Sequence, residues 1–344
     1  MNRWSRTITI LFFALALFQG LDAQPSDISR LRHIMLEKQA KAFYTRDTSY
    51  IDVLDSLAYG YYRISADSLF LYSKKALAYA KEAGYAKGES VSLRVMGNGY
   101  GLNGDYTNMF SCYQQALAIA EKIKSPLLIA KATINMAIMY YSRIGQINEA
   151  LVLMEKAGNI FESVGDTLDL IKSLQCRGSI WVDRKQYEKA MQVYRRSGEL
   201  AKAMKNEYMV VTTNDYISAI LSAKGSNKEA LPYSLATLDY FNRTDDKMRI
   251  SMSADFVATT YLHLKNYPEA LQYARRGLAA ATAIKSIPQI REAEQILANA
   301  YEAKGDAHNA LKYFKLYNYY ADSLLNETML KKTAKRCFTL RTLV

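Results

Sequence analysis

Between residues 48 and 320 the apolar positions recur at steps of three and four, the spacing that gathers them on one face of an α-helix. The clearest stretch runs Leu93, Met96-Gly97 and Tyr100, then Gly104-Asp105-Tyr106, then Met109, Tyr113 and Ala116-Leu117. It predicts a helix, a short turn and a second helix. The same order returns about forty residues later: Ile134, Ala137-Ile138 and Tyr141, then Gly145 and Ile147, then Ala150-Leu151, Met154 and Ala157. It returns again as Leu174, Gly178, Trp181, Tyr187, Ala190-Met191 and Tyr194, and more faintly around Ile217, Leu221, Gly225 and Ala230-Leu231. Two further copies carry Val257-Ala258, Tyr261, Tyr267 and Ala270-Leu271, and Leu297-Ala298, Tyr301, Gly305-Asp306, Ala310-Leu311 and Phe314.

The residue opening each second helix falls at Met109, Ala150, Ala190, Ala230, Ala270 and Ala310, at intervals of 41, 40, 40, 40 and 40, and one step back lies Leu69 in a more degenerate seventh copy. A phase held over seven steps is an internal repeat. Small residues such as Gly97, Gly178, Ala258 and Ala298 admit close approach of two helices, and Tyr and Phe fill the hollows opposite them. That accounts for 27 tyrosines. Turn chemistry fits the same phase. Asp105, Asn266 and Asp306 are N-cap types, Ser226 to Glu229 is spaced as a capping box, and Pro268 falls in a first turn. Pro126 and Pro288 are expected to stop second helices, and Pro232 to bend one.

Composition agrees. Half of the 344 residues are hydrophobic, and only 16 glycines and 5 prolines punctuate them, too few for a sheet protein of this length. The repeat resembles the tetratricopeptide (TPR) motif, in a form longer than the usual unit of about 34 residues. The resemblance implies an all-α fold, a right-handed TPR superhelical solenoid of antiparallel helix pairs. It covers 48–320 as about seven repeats, with 24–47 as an N-terminal capping helix and 321–344 as a basic capping or linker helix.

The N-terminus has a different character. Arg3 and Arg6 precede an eleven-residue apolar run, Ile8 to Phe18, and Leu21-Asp22-Ala23 follows. This is the layout of a secretory signal peptide, 1–23, cut after Ala23, and it predicts an exported, periplasmic or envelope-associated protein with no membrane span in the mature chain. The junction resembles signal peptides of the Bacteroidetes, and the tail from Leu311 resembles the segment that joins TPR ectodomains to a coiled coil in signalling proteins of that group. Leu330, Cys337 and Val344 are seven apart, so a homodimer through the C-terminal helix, with an intersubunit Cys337 disulfide, is one expectation. A capping helix is the other.

The net charge is +12, of which residues 328–344 carry +5 and residues 1–23 carry +1. The remainder is spread too thinly to indicate nucleic acid. Gly99-Tyr-Gly101-Leu-Asn-Gly104 has the spacing of a dinucleotide loop, but the repeat places it inside a first helix and its turn. Gly97 and Gly104 answer to small or turn positions in other units. Gly99 and Gly101 do not, so replacing both with alanine is expected to raise thermal stability. Three histidines and three cysteines stand at no metal-ligand spacing, and Cys112 and Cys176 are expected as small buried hydrophobes. No motif supplies a nucleophile with a base, so no cofactor, metal or catalysis is expected.

A binding role remains. The phase of the first helices predicts a ladder of polar side chains on the concave face: Arg94 and Asn98, Asn135, Gln175 and Ser179, Asp215, Asp255 and Thr259, Gln295 and Asn299. Arg94-x-x-x-Asn98 resembles the start of the clamp by which some TPR domains hold C-terminal carboxylates, with Lys172 as the basic candidate beyond it. The expected function is a non-catalytic protein- or peptide-binding module, the sensor or adaptor of an envelope signalling system. A scaffold for envelope assembly and an enzyme with an unrecognised site are the alternatives.

Overall fold

A computed structural model describes residues 25–62 and 64–320. The predicted leader, its cleavage point, the 321–344 segment and the Cys337 disulfide lie outside the described residues. The chain divides into two compact units, Met1–Lys205 and Asn206–Val344. Every regular element among the described residues is helical.

In the first unit α1 (Pro25–Gln39) and a 3-10 turn (Tyr44–Arg46) precede four helix pairs. These are α2 (Thr48–Gly60) with α3 (Ala66–Glu82), α4 (Ala86–Leu102) with α5 (Tyr106–Lys122), α6 (Pro126–Met139) with α7 (Ile147–Ser163), and α8 (Thr167–Asp183) with α9 (Tyr187–Ala203). The second unit holds α10 (Glu207–Ala223) with α11 (Asn227–Arg243), α12 (Lys247–His263) with α13 (Tyr267–Ala283), and α14 (Ile287–Lys304) with α15, residues 307–320. Within each unit neighbouring helices share continuous apolar seams. One seam in the first unit runs through Ile134, Ala137, Ala150, Met154, Phe161, Leu174 and Ile180; one in the second runs through Ala258, Ala270, Ala274, Leu297, Ala300 and Tyr301.

A twenty-residue rhythm underlies the forty-residue repeat. Left-handed backbone ends the helices at Gly84, Gly104 and Lys124, then at Gly145, Gly165, Lys185, Lys205, Gly225, Asp245, Lys265, Lys285 and Gly305. Glycine takes this conformation without strain. Where lysine takes it, its charge lies beside the negative end of the helix dipole, a partial return on the strain. The rhythm slips once, by one residue, between Lys124 and Gly145. There the end of α6 widens into a π turn, Tyr140–Ile144, which absorbs one extra residue without breaking the helix. This is the structural origin of the single 41-residue interval. The π turn carries Tyr141, whose hydroxyl donates to the Asp183 carboxylate at the end of α8.

Side-chain caps close several helix starts, at Asp47, Ser65, Asp105, Asp166, Asn206, Asp246 and Asp306. Asn266 makes no cap bond, and Ser226 makes none either, so the expected capping box with Glu229 does not form. Pro126 and Pro288 do not end second helices. They lie in the first turns of α6 and α14, where the missing N–H costs little. Pro268 sits in the first turn of α13, and Pro232 lies inside α11.

The close approach within pairs is direct. A Cβ added at Gly97 would lie 2.4 Å from the Tyr113 ring, and one at Gly178 would lie 2.4 Å from the Tyr194 ring. Gly99 overturns the sequence expectation. A Cβ there would meet Leu69 Cδ2 at 2.6 Å and Phe70 Cζ at 3.0 Å, so this glycine admits α3, the second helix of the preceding pair. At Gly101 only the flexible Met109 Sδ, 2.8 Å away, stands in the way. Cys112 and Cys176 are both buried, and burial raises both thiols.

Two measurements follow from this packing. Gly97→Ala and Gly99→Ala should each destabilise by roughly 1–3 kcal/mol in denaturant unfolding, because rings and a leucine held in a packed core must move. Gly101→Ala should be neutral or stabilising by up to about 1 kcal/mol, since a thioether can yield and alanine favours the helix. Equal losses at all three positions would refute this distinction. The second concerns Asp55, which accepts from Ser92 Oγ at 2.8 Å and so ties α2 to α4. Burial pushes its carboxyl up to about 8, against a pull from the nearby Arg94. The folded chain therefore holds this proton more tightly than the unfolded chain. Its contribution is present below pH 4 and is lost as pH rises towards 8. Asp55→Asn should flatten part of that decline, gaining up to a few kcal/mol over wild type at pH 8 relative to pH 4. Parallel stability profiles for the two proteins would exclude Asp55 as the source.

Candidate ligand-binding faces of the first helices

In the first unit the predicted ladder closes on itself. Asn98 on α4 is buried, and its Oδ1 accepts from Tyr113 Oη at 2.7 Å and from Asn135 Nδ2 at 3.0 Å. The structure thus brings Asn98 and Asn135 together from consecutive first helices, although Asn135 stands one residue out of phase. Arg94, one turn before Asn98, is half-buried, and its Nε is buried without a hydrogen-bond partner. Its charge acts on two neighbours, Asp55 and Tyr113. The Tyr113 hydroxyl is raised by burial, so this group stays a neutral donor to Asn98. Arg94, Asn98, Asn135, Tyr113 and Asp55 form one polar patch across three helix pairs.

Farther along this unit the ladder is spent on internal contacts. Lys172 is buried and its Nζ lies 2.9 Å from Asp169 Oδ1, while Asp169 also faces Lys131 at 3.1 Å. The two lysines hold the Asp169 carboxyl low in spite of its burial. Lys172 therefore has its counter-charge in place. Gln175 is fully buried. Ser179 is buried, donates to the Gln175 carbonyl at 3.1 Å and shares a hydrogen bond of 3.0 Å with Tyr194 Oη.

In the second unit Asp215 on α10 is half-buried. Burial pushes its carboxyl up to about 7, against the pull of Arg249 and the Thr237 hydroxyl. Asp255 on α12 is buried, and Thr259 one turn later is half-buried and donates to the Asp255 carbonyl at 2.9 Å. On α14 Gln295 is half-buried and Asn299 is exposed.

Of the eleven predicted residues, Asn98, Asn135, Lys172, Gln175, Ser179 and Asp255 are buried, Arg94, Asp215, Thr259 and Gln295 are half-buried, and Asn299 is exposed. The groups absent from the sequence-based ladder are Asp55, Ser92, Tyr113, Thr237 and Arg249. Tyr113 was legible as an aromatic anchor but not as a hydrogen-bond donor. Asp55 sits in the most degenerate repeat, where the phase is faintest.

Among the described residues no group of three His, Cys, Asp or Glu is placed to hold a metal ion, and no helix is long and apolar enough to cross a membrane. No protein-family model matches the chain, and no curated protein is significantly similar to it. Solved structures are similar in fold. A signal-transduction ATPase with numerous domains and a tetratricopeptide repeat sensor, from Pyrococcus horikoshii, aligns over 95% of this chain and 55% of its own, with a TM-score of 0.64 at 18% identity. A Rap protein complexed with competence and sporulation factor aligns over 97% of this chain and 92% of its own, with a TM-score of 0.59 at 17% identity. Aspartyl phosphate phosphatase F from Bacillus subtilis aligns over 93% and 95%, with a TM-score of 0.58 at 14% identity. The chain has the tetratricopeptide-type helical-repeat fold that its repeat pattern implies.

Proposed function

We propose that this protein is a non-catalytic peptide- or protein-binding module, exported after cleavage behind Ala23, and that it serves as the sensor or adaptor of an envelope signalling system. The observation that carries the reading is the Arg94–Asn98–Asn135 patch. Three polar side chains from consecutive first helices converge there, one of them a cation with a buried, unpartnered Nε. The half-buried Arg94 guanidinium suits the terminal carboxylate or a carbonyl of an extended chain, and the buried Asn98–Asn135 bond fixes the two first helices beside it. The fold is compatible with this use, since a similar structure is that of a Rap protein complexed with competence and sporulation factor. The sensor role rests further on the resemblance of the tail to ectodomain linkers. The 24–47 region and the 321–344 segment act in this reading as caps, with the latter as the route to a homodimer.

Affinity capture from envelope extract, read by mass spectrometry, tests the proposal. The wild-type protein should retain a peptide or protein that Arg94→Ala loses by tenfold or more, with the variant still melting cooperatively. Unchanged retention by the variant would remove Arg94 from the site, and turnover of a captured compound would reopen the enzymatic alternative. Intact mass of protein recovered from the envelope should begin at Gln24. A mass that includes residues 1–23 would contradict export by this leader.

A further inference from the structure

The second unit repeats one acidic position, and the two copies differ in what surrounds them. Asp215 on α10 has Thr237 twenty-two residues on, in α11, and Arg249 thirty-four residues on, at the start of α12. Both draw its carboxyl towards the ionised form. Asp255 occupies the same place one repeat later, forty residues on. The residues at the matching offsets are Gly277 and Gln289. Neither a hydroxyl nor a cation replaces the pair that serves Asp215, and the Gln289 side chain is bonded instead to Ser286.

The geometry around Asp255 is that of a seat without its occupant's charge. The residue is 6% exposed, and its Oδ1 has no hydrogen-bond partner. The carboxylate rests on bare backbone: a Cβ at Gly277 would lie 2.2 Å from Oδ1 and 3.3 Å from the Ser251 carbonyl. Ser251, one turn before Asp255 on α12, is fully buried, and its Oγ is likewise without a partner. The nearby charge that acts on Asp255 is that of Glu292 on α14, an acid, and together with burial it raises the Asp255 carboxyl well above its ordinary value. A buried carboxylate oxygen without a partner, with another acid as its neighbouring charge, asks for a donor that brings positive charge.

We propose that Asp255 receives a primary ammonium group carried by a peptide bound along the first helices of the second unit. This rests on the peptide-binding reading above and adds a ligand chemistry to it. An ammonium at the end of a lysine stem is compact, brings three donors and can reach a recessed acceptor through its methylenes, whereas a guanidinium presents a broad planar fork. The α-amino group of a peptide offers the same three donors. Gly277 admits the Asp255 carboxylate against its own backbone, and the preceding repeat has a cation, Arg249, where this one has Gln289.

The test uses an array of randomised nonapeptides, in N-acetylated and free-amine forms, probed with the full chain as wild type, as Asp255→Asn and as Gln289→Arg. Wild type should enrich lysine at one position by at least tenfold on the acetylated array, or select the free amine if the peptide terminus is the donor. Asp255→Asn should lose that enrichment and keep the preferences at other positions. Gln289→Arg, which restores the cation of the preceding repeat, should lose it too and melt higher than wild type. It serves as the second variant should Asp255→Asn fold poorly. Lysine or amine selection that survives in either folded variant would overturn the assignment. So would wild-type binding of peptides with no ammonium preference, which leaves the peptide-binding reading intact. Binding of no peptide at all would refute the assignment together with the peptide half of the reading above, leaving protein binding to the affinity capture.

Discussion

A helix pair of this kind has an apolar face on both helices and cannot bury it without a neighbour, so everything depends on how closely successive helices approach. That approach is set by the contact of a bare or nearly bare backbone with an aromatic ring. Gly97 receives the ring of Tyr113, and Gly178 that of Tyr194. Each ring is then fixed at its far end by a hydrogen bond, Tyr113 to Asn98 and Tyr194 to Ser179. The glycine, the ring and the polar anchor form one device: the glycine admits the ring, and the hydroxyl recruits a polar residue from the first helix. Polar residues at these phases are therefore part of the packing as well as candidates for contact with a ligand.

The same device explains how regular spacing coexists with irregular sequence. Left-handed residues recur every twenty positions, and glycine, lysine or aspartate serves there. Spacing is what the stack requires, because a helix one residue too long would rotate every apolar residue after it out of the seam. The exception confirms the rule by its remedy. One inserted residue is taken up within a π turn, and the phase after Gly145 is restored.

This separates what was legible in the sequence from what was not. The helix pairs, the turn glycines and the small residue opening each second helix follow from periodicity, because they are properties of a single repeat. The 41-residue interval was visible, though the π turn that accommodates it was not. Gly99 was misread because its partners, Leu69 and Phe70, belong to the preceding pair, and no comparison of equivalent positions could expose a contact made once. The ladder was read as a row of ligand contacts, with no sign of which members are buried. Burial of Gln175, Ser179 and Asp255 depends on the distance between neighbouring helices, and periodicity carries no information about that distance. Asp55 escaped notice because its repeat is the most degenerate of the seven.

Buried charge in the first helices is handled in three ways, and the differences locate specificity. Asp169 is answered by two lysines, Lys131 and Lys172, and stays ionised. Asp215 is answered in part, by Arg249 and a threonine hydroxyl, and sits near neutrality. Asp255 has Gly277 and Gln289 where Asp215 has its threonine and arginine, and burial together with the charge of Glu292 raises its carboxyl. A carboxyl without a counter-charge in a packed seam costs stability whether it sheds its proton or keeps it. In a repeat array the cost is easily removed, because the neighbouring copy already supplies the solution at a known offset. An array that carries the solution at Asp215 and omits it at Asp255 leaves one seat in that row open to charge from outside the chain.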